Sequence, residues 1–131
     1  FDWDRMLAFD GNTSPYLQYA HARIRSIFRR AADDQVSAGA IAVHEAAERA
    51  LGLRLLSYPA AVADALESNS PHRLCTYLFE LAQLFTAFYE HCPVMKSEGD
   101  IRASRLALCD LTARTLSAGL DLLGIDAPEQ M

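Results

Sequence analysis

The residues best equipped for chemistry crowd into one stretch, SPYLQYAHARIRSIFRR, Ser14 to Arg30. The chain as a whole carries a formal net charge of -5, yet no acidic residue occurs between Gly11 and Ala32. Arg23, Arg25, Arg29 and Arg30 fall close together, with Tyr16 and Tyr19 just ahead of them. Aromatic faces stack on unpaired bases, at roughly 1–3 kcal/mol per base. Guanidinium forks bind phosphates and guanine-type acceptors in pairs of parallel hydrogen bonds. Single-stranded RNA loops are held by this combination. The same residues also have a plainer use. Tyrosines at a core boundary bury the ring and keep the hydroxyl wet, and arginines on a helix are commonly solvated. The pI of 5.2 lacks the basic footprint usual for nucleic-acid binders. A local basic patch can nevertheless attract RNA while the acidic remainder limits non-specific contact. On the residues alone, both readings stay open.

Other candidate groups are weaker. His44, Glu45 and Glu48 lie about one helical turn apart, but no further partner surrounds them, so a solvated helix face is expected rather than acid–base catalysis. Cys75, Cys92 and Cys109 are widely spaced and form no CxxC pair. They read as reduced thiols of a cytoplasmic protein, with Cys109 as a buried, inert one. The histidines His21, His44, His72 and His91 show no metal-ligand spacing, and no glycine-rich phosphate loop occurs. Arg102 and Arg105 fall near a helix start, against the dipole preference. That placement hints at a phosphate or carboxylate partner, with Glu98 and Asp100 the nearest carboxylates.

The elements that must position these groups all read as helices. A chain of 131 residues, 51% hydrophobic, predicts one domain with a useful core. No run approaches a membrane span, and FDWDRMLAFDG does not read as a signal peptide. Phe1 to Ala8 reads as a short helix ended by the turn Asp10-Gly11-Asn12. Thr13 or Ser14 caps a helix over 15–32, with Pro15 in its first turn. Asp33 to Gly39 reads as a loop, and Ile41 to Leu56 as a second long helix. Further helices are expected over 59–67, from about Pro71 to His91, and over 101–123, where Gly124 supplies the stop. The fold class is therefore all-α: a single helical bundle of about five to six helices. On a wheel of the first long helix, Leu17, Ala20, Ile24, Ile27, Phe28 and Ala31 form the core-facing sector. Tyr16, Tyr19, Arg23 and Arg30 fall together beside it. Arg25 and Arg29 point elsewhere, to solvent. His21 borders the core stripe and is expected to pack against Phe1 to Phe9.

Three stretches together resemble a known family: MLAFDGNTSPYLQYAHARIRSIFRR, LCTYLFELAQLFTAFYEHCPV and RLALCDLTARTLSAGLDLLGIDAPEQM. They look like the C-terminal, all-helical anticodon-binding region of arginyl-tRNA synthetases, the type named after a DALR signature. The letters Asp-Ala-Leu-Arg are absent; the matching position reads Ser104-Arg105-Leu106, with Ala103 before it. The resemblance implies that Tyr16, Tyr19, Arg23, Tyr89 and Met131 face the anticodon, with Arg30 and Arg102 as candidate contacts to the RNA backbone. Gln18 belongs to the same pattern but turns away from the tyrosines, which implies a structural or domain-contact role. The middle anticodon base of arginine tRNA is cytosine. A reader of this family therefore has to meet its N3 and O2 acceptors and its N4 donor.

The resemblance further implies an arginine–tRNA ligase whose ATP- and magnesium-using catalytic domain lies N-terminal to Phe1, with residues 1–12 as the junction and 1–131 as the anticodon-binding domain. The HIGH-like and KMSK-like motifs of that catalytic domain are missing here, so no cofactor is expected in this chain and the fragment alone should be inactive. The implied partners are arginine tRNA and the catalytic domain of the same polypeptide, in a cytoplasmic monomer that binds neither membrane nor DNA. The alternative reading is a helical protein–protein interaction module that uses the tyrosine–arginine stripe on a partner helix or acidic peptide.

Overall fold

A computed structural model describes residues 14–131. Among them there are five α-helices and no strand: α1 (Ser14–Asp33), α2 (Ala46–Leu56), α3 (Tyr58–Glu67), α4 (Pro71–His91) and α5 (Gly99–Leu122). The helix expected over Phe1 to Ala8 and the junction role of residues 1–12 lie outside the described residues. The all-helical class is the one the periodicity predicts.

The bundle is organised around α4, which packs against all four other helices. Its stripe Leu74, Leu78, Leu81, Phe85 and Phe88 recurs at helical spacing, and every member is buried. Pro71 opens it, since a missing N–H costs nothing in a first helical turn. Helix α5 closes over this stripe with Leu106, Cys109, Ala113, Leu116 and Leu120. Close approach is possible because residue 119 is glycine: a Cβ there would lie 2.6 Å from Leu78 Cδ2. Helix α1 buries Leu17, Ile24, Ile27 and Ala31 as the wheel predicts.

Three helices stop by the same device, a residue in the left-handed region whose neighbours bond back into the last turn. At the end of α5 this residue is Gly124 (φ 74°), with Ile125 N–H donating to Leu120 O at 2.9 Å and Gly124 N–H to Asp121 O at 3.0 Å. Asn69 (φ 50°) follows α3 and Gln35 (φ 57°) follows α1. Gln35 is the least suited of the three, having neither glycine's freedom nor asparagine's short polar side chain.

The second long helix is shorter than the sequence predicts. It starts at Ala46 rather than Ile41, and residues 37–45 instead run as a non-helical strap along α5. The strap's backbone has found partners that a helix would have supplied internally. Gly39 N–H donates to Ala103 O at 3.0 Å. Ser104 Oγ accepts from Ala42 N–H at 2.8 Å and donates to Ala42 O at 3.1 Å. The helix then begins with a capping box, in which Glu45 N–H donates to Glu48 Oε1 at 3.1 Å; this reciprocal pairing fixes the start at that point.

Glu48 also departs from the expected solvated face, for it is fully buried. Arg105 Nη2 donates to Glu48 Oε1 at 3.4 Å, and Arg105 Nη1 donates to Pro93 O at 2.8 Å. Arg105 therefore takes Glu48, not Glu98 or Asp100, as its carboxylate. The pair joins the start of α2, the α4–α5 loop and α5. Burial of two charges is tolerated because each meets the other together with a backbone group.

Candidate nucleic-acid interface

Helix α1 presents two polar edges on either side of its buried stripe. One edge carries Tyr16, Arg23 and Arg30 towards α4. The Tyr16 ring meets Phe79 with centroids 5.2 Å apart and a 57° tilt. The Arg23 guanidinium lies over the Tyr89 ring, 5.4 Å from its centroid, an arrangement in which the ring's negative face attracts the cation. Tyr89 in turn stacks on Phe85 at 6.0 Å and 19°, which fixes the plane that Arg23 covers.

The second edge is a row of donors, Gln18, His21, Arg25 and Arg29. These residues lash the C-terminal tail to α1. Gln18 Nε2 donates to Asp126 O at 2.8 Å, and Arg29 Nη1 to Glu129 O at 2.9 Å. His21 Nδ1 lies 2.9 Å from Pro128 O. A carbonyl only accepts, so this geometry assigns the hydrogen to Nδ1. Arg25 Nη1 pairs with Asp110 Oδ1 at 3.2 Å, and its Nε lies 4.0 Å from Glu129 Oε2.

Several expectations are corrected here. Arg25 and Arg29 are not simply solvated, because a tail and an α5 carboxylate engage them. His21 is buried against Pro128 O; the expected packing on Phe1 to Phe9 lies outside the described residues. Gln18 has the contact role expected of it, and its partner is the tail.

The lashing brings Met131 beside α1. Tyr19, Arg23, Ser26, Arg29, Gln130 and Met131 line one groove of ≈ 290 Å³. Tyr19 and Met131 are 51% and 65% exposed, so ring and thioether both present surface to a visitor. A second groove, ≈ 360 Å³, runs from Tyr16 and Phe79 along α4 to Glu90. A third, ≈ 280 Å³, continues from Tyr89 and Glu90 to Arg30, Lys96 and the α4–α5 loop. Of the residues singled out in the sequence, Tyr16, Tyr19, Arg23, Arg30, Tyr89 and Met131 thus border a crease made of three grooves, of which the second and third share Glu90 and the first meets the third where Arg23 covers Tyr89. Arg102, in the first turn of α5, lines none of its three grooves. The sequence reading missed Gln83, Glu90 and Lys96. The spacing of 83 and 90 from Phe79, on one face of α4, is the signal that could have found the first two.

Elsewhere the surface differs in kind. A groove of ≈ 500 Å³ between the strap, α2 and α5 is lined by Ile41, Val43, Leu53, Leu56, Leu108 and Leu111 among others. It offers almost no hydrogen-bonding group and none of the predicted site residues. Among the described residues, no three His, Cys, Asp or Glu side chains are grouped to hold a metal ion. No described helix is long and apolar enough to cross a membrane. Burial pushes the Cys109 thiol up to about 12, as an inert core thiol requires.

Comparisons with known proteins give the class to which this all-helical bundle, with its aromatic–guanidinium crease and lashed tail, belongs. Residues 17–131 match the family described as DALR anticodon binding domain, and the chain belongs to that family. Among curated relatives, the arginine–tRNA ligase of Thermobifida fusca is 62% identical over 133 residues, with 100% of this chain and 23% of the ligase covered. An Escherichia coli arginine–tRNA ligase is 47% identical over 134 residues, at the same coverage. Among solved structures, the arginyl-tRNA synthetase of Thermus thermophilus superposes with a TM-score of 0.88 at 42% identity, covering 100% of this chain and 23% of that one. The enzyme from Plasmodium falciparum gives 0.83 at 33% identity with the same coverage. The chain thus spans under a quarter of the length of these relatives.

Proposed function

We propose that this domain reads the anticodon loop of arginine tRNA on behalf of an arginine–tRNA ligase. A catalytic domain of the same polypeptide, using ATP and magnesium, carries out the aminoacylation, in the cytoplasm and as a monomer. The domain selects the tRNA and helps to present its acceptor end to that catalytic domain.

The observation that carries the reading is the convergence of Tyr19, Arg23 and Met131 on one groove. A flipped pyrimidine stacks on the phenol face. The thioether closes over its other side as a soft, adaptable surface. Arg23, already held by the Tyr89 ring, serves the neighbouring phosphate or a base acceptor. Tyr16 and Tyr89 extend the stacking surface, and Arg30 supports the backbone. Arg102 lies apart from this crease and is the weakest of the proposed contacts.

The reading is tested by binding arginine tRNA and a variant whose middle anticodon base is changed from C to U, at fixed salt. The native tRNA should bind at least about tenfold more tightly, the equivalent of 1.4 kcal/mol. Arg23→Ala should weaken native binding with helicity unchanged. Equal binding of the two tRNAs would refute the reading.

A further inference from the structure

The crease holds a set of polar side chains that are not used for hydrogen bonds or ion pairs among the described residues. Arg25, Arg54, Arg73, Arg105 and Arg114 are all in ion pairs. Gln83, Glu90, Arg30 and Lys96 have no hydrogen bond or ion pair among the described residues. They nonetheless cluster, with Gln83 and Glu90 on one edge of α4, Lys96 in the loop after it and Arg30 facing them from α1. The groove towards Tyr16 is lined by Tyr16, Phe79, Gln83, Thr86, Ala87 and Glu90, and the adjoining one by Arg30, Tyr89 and Lys96 with Glu90 shared between the two. Thr86 has spent its hydroxyl hydrogen on Ala82 O at 3.1 Å, so it can only accept.

Resting on the anticodon-loop reading above, we propose that this part of the crease is a second nucleotide site, separate from the Tyr19–Arg23–Met131 groove. It takes one unpaired base that presents hydrogen-bond donors, guanine best, and seats the adjoining phosphate between Arg30 and Lys96. The chemistry follows from the lining. The Tyr16 and Phe79 rings supply apolar faces for the base. Glu90 is acceptor-only when ionised, with two oxygens, which match the N1–H and N2–H donors side by side on guanine. Gln83 supplies an adaptable partner. Adenine and cytosine each offer one amino group and fit less well. Uracil places a carbonyl against the carboxylate and is rejected. The same negative charge keeps phosphate out of the base pocket and directs it to the cations beyond Tyr89.

The test uses the chain with labelled single-stranded heptaribonucleotides of uridine carrying a central G, A, C or U. Wild type should prefer the G heptamer over all-U by roughly tenfold, the scale of one bidentate base contact. Glu90→Gln replaces one acceptor by a donor and should collapse that preference, with uracil gaining. Gln83→Ala should lower the preference part-way. Lys96→Ala should weaken all four heptamers alike and flatten the log–log salt slope by about 0.7, one phosphate on a single strand. All three residues are exposed, so folding is not at risk, and circular dichroism checks it. A G/U ratio unmoved by Glu90→Gln overturns the proposal. So does failure to bind any heptamer while arginine tRNA still binds with its anticodon preference, an outcome that leaves the anticodon-loop reading standing. Base preference here with no discrimination between tRNAs would sink that reading instead and leave this site intact.

Discussion

Two non-helical segments are lashed to this bundle, and they make opposite surfaces. The tail (125–131) is held by α1 side chains that donate to its carbonyls from Gln18, His21 and Arg29. The strap (37–45) is held by α5 through a backbone bond at Gly39 and the two-way hydroxyl of Ser104. The first segment lays Gln130 and Met131 beside phenol and guanidinium groups. The second lays Ile41 and Val43 beside leucines. The anchoring physics is the same in both, since each exchanges water for fixed hydrogen bonds to otherwise orphaned backbone groups. What separates a polar, aromatic groove from an apolar one is the set of side chains the segment delivers. The means of anchoring does not decide it.

This contrast predicts different consequences for breaking each side. The largest effect on stability belongs beneath the strap. Glu48→Ala strands the buried Arg105 guanidinium and should cost about 3–5 kcal/mol in chemical denaturation. The double variant Glu48→Leu/Arg105→Met should recover most of that loss. A cost below about 1 kcal/mol for Glu48→Ala would mean the pair is not buried as described.

The tail is next. His21→Ala removes a buried hydrogen bond and leaves Pro128 O unmet, for about 1–3 kcal/mol. It should also loosen Met131 from α1, so arginine-tRNA affinity should fall well beyond the stability loss, as measured by filter binding. Ser104→Ala, the matching lesion on the strap, should cost a similar or smaller amount, about 1–2 kcal/mol. Amide exchange at Ala42 should quicken while tRNA affinity stays at the wild-type value. Loss of tRNA binding in Ser104→Ala, with none in His21→Ala, would reverse the functional assignment of the two segments.

The smallest effect is a gain. Gln35→Gly relieves a left-handed residue at the end of α1, just before the strap, and should raise stability by about 0.5–1 kcal/mol. An unchanged or lowered melting temperature would show that the Gln35 side chain contributes a compensating contact.

Much of the bundle was legible in the sequence because it is periodic. The buried stripe of α4, the core face of α1 and the stop at Gly124 all follow from spacing and turn chemistry. The grouping of Tyr16, Tyr19, Arg23 and Arg30 on one edge followed from the same wheel. The two lashed segments were not legible, because their partners are backbone carbonyls and amides, which leave no letter in the sequence. Ile41–Glu45 accordingly read as a helix, when Ser104 offered the backbone of Ala42 a better arrangement. Burial of Glu48 and Arg105 was missed because their partnership spans distant parts of the chain. One signal was available: Gln18, His21, Arg25 and Arg29 form a single stripe of donors on α1, and such a stripe beside a core face asks for acceptors.

The central claim is that RNA meets the tail-bearing crease and leaves the strap-lined groove alone. The most direct measurement is an NMR titration of the chain with the anticodon stem–loop of arginine tRNA. Amide shifts should move at Tyr19, Arg23, Tyr89, Gln130 and Met131, with Ile41, Val43, Leu53 and Leu56 unchanged. Shifts concentrated on those four apolar residues, with α1 and the tail silent, would contradict it.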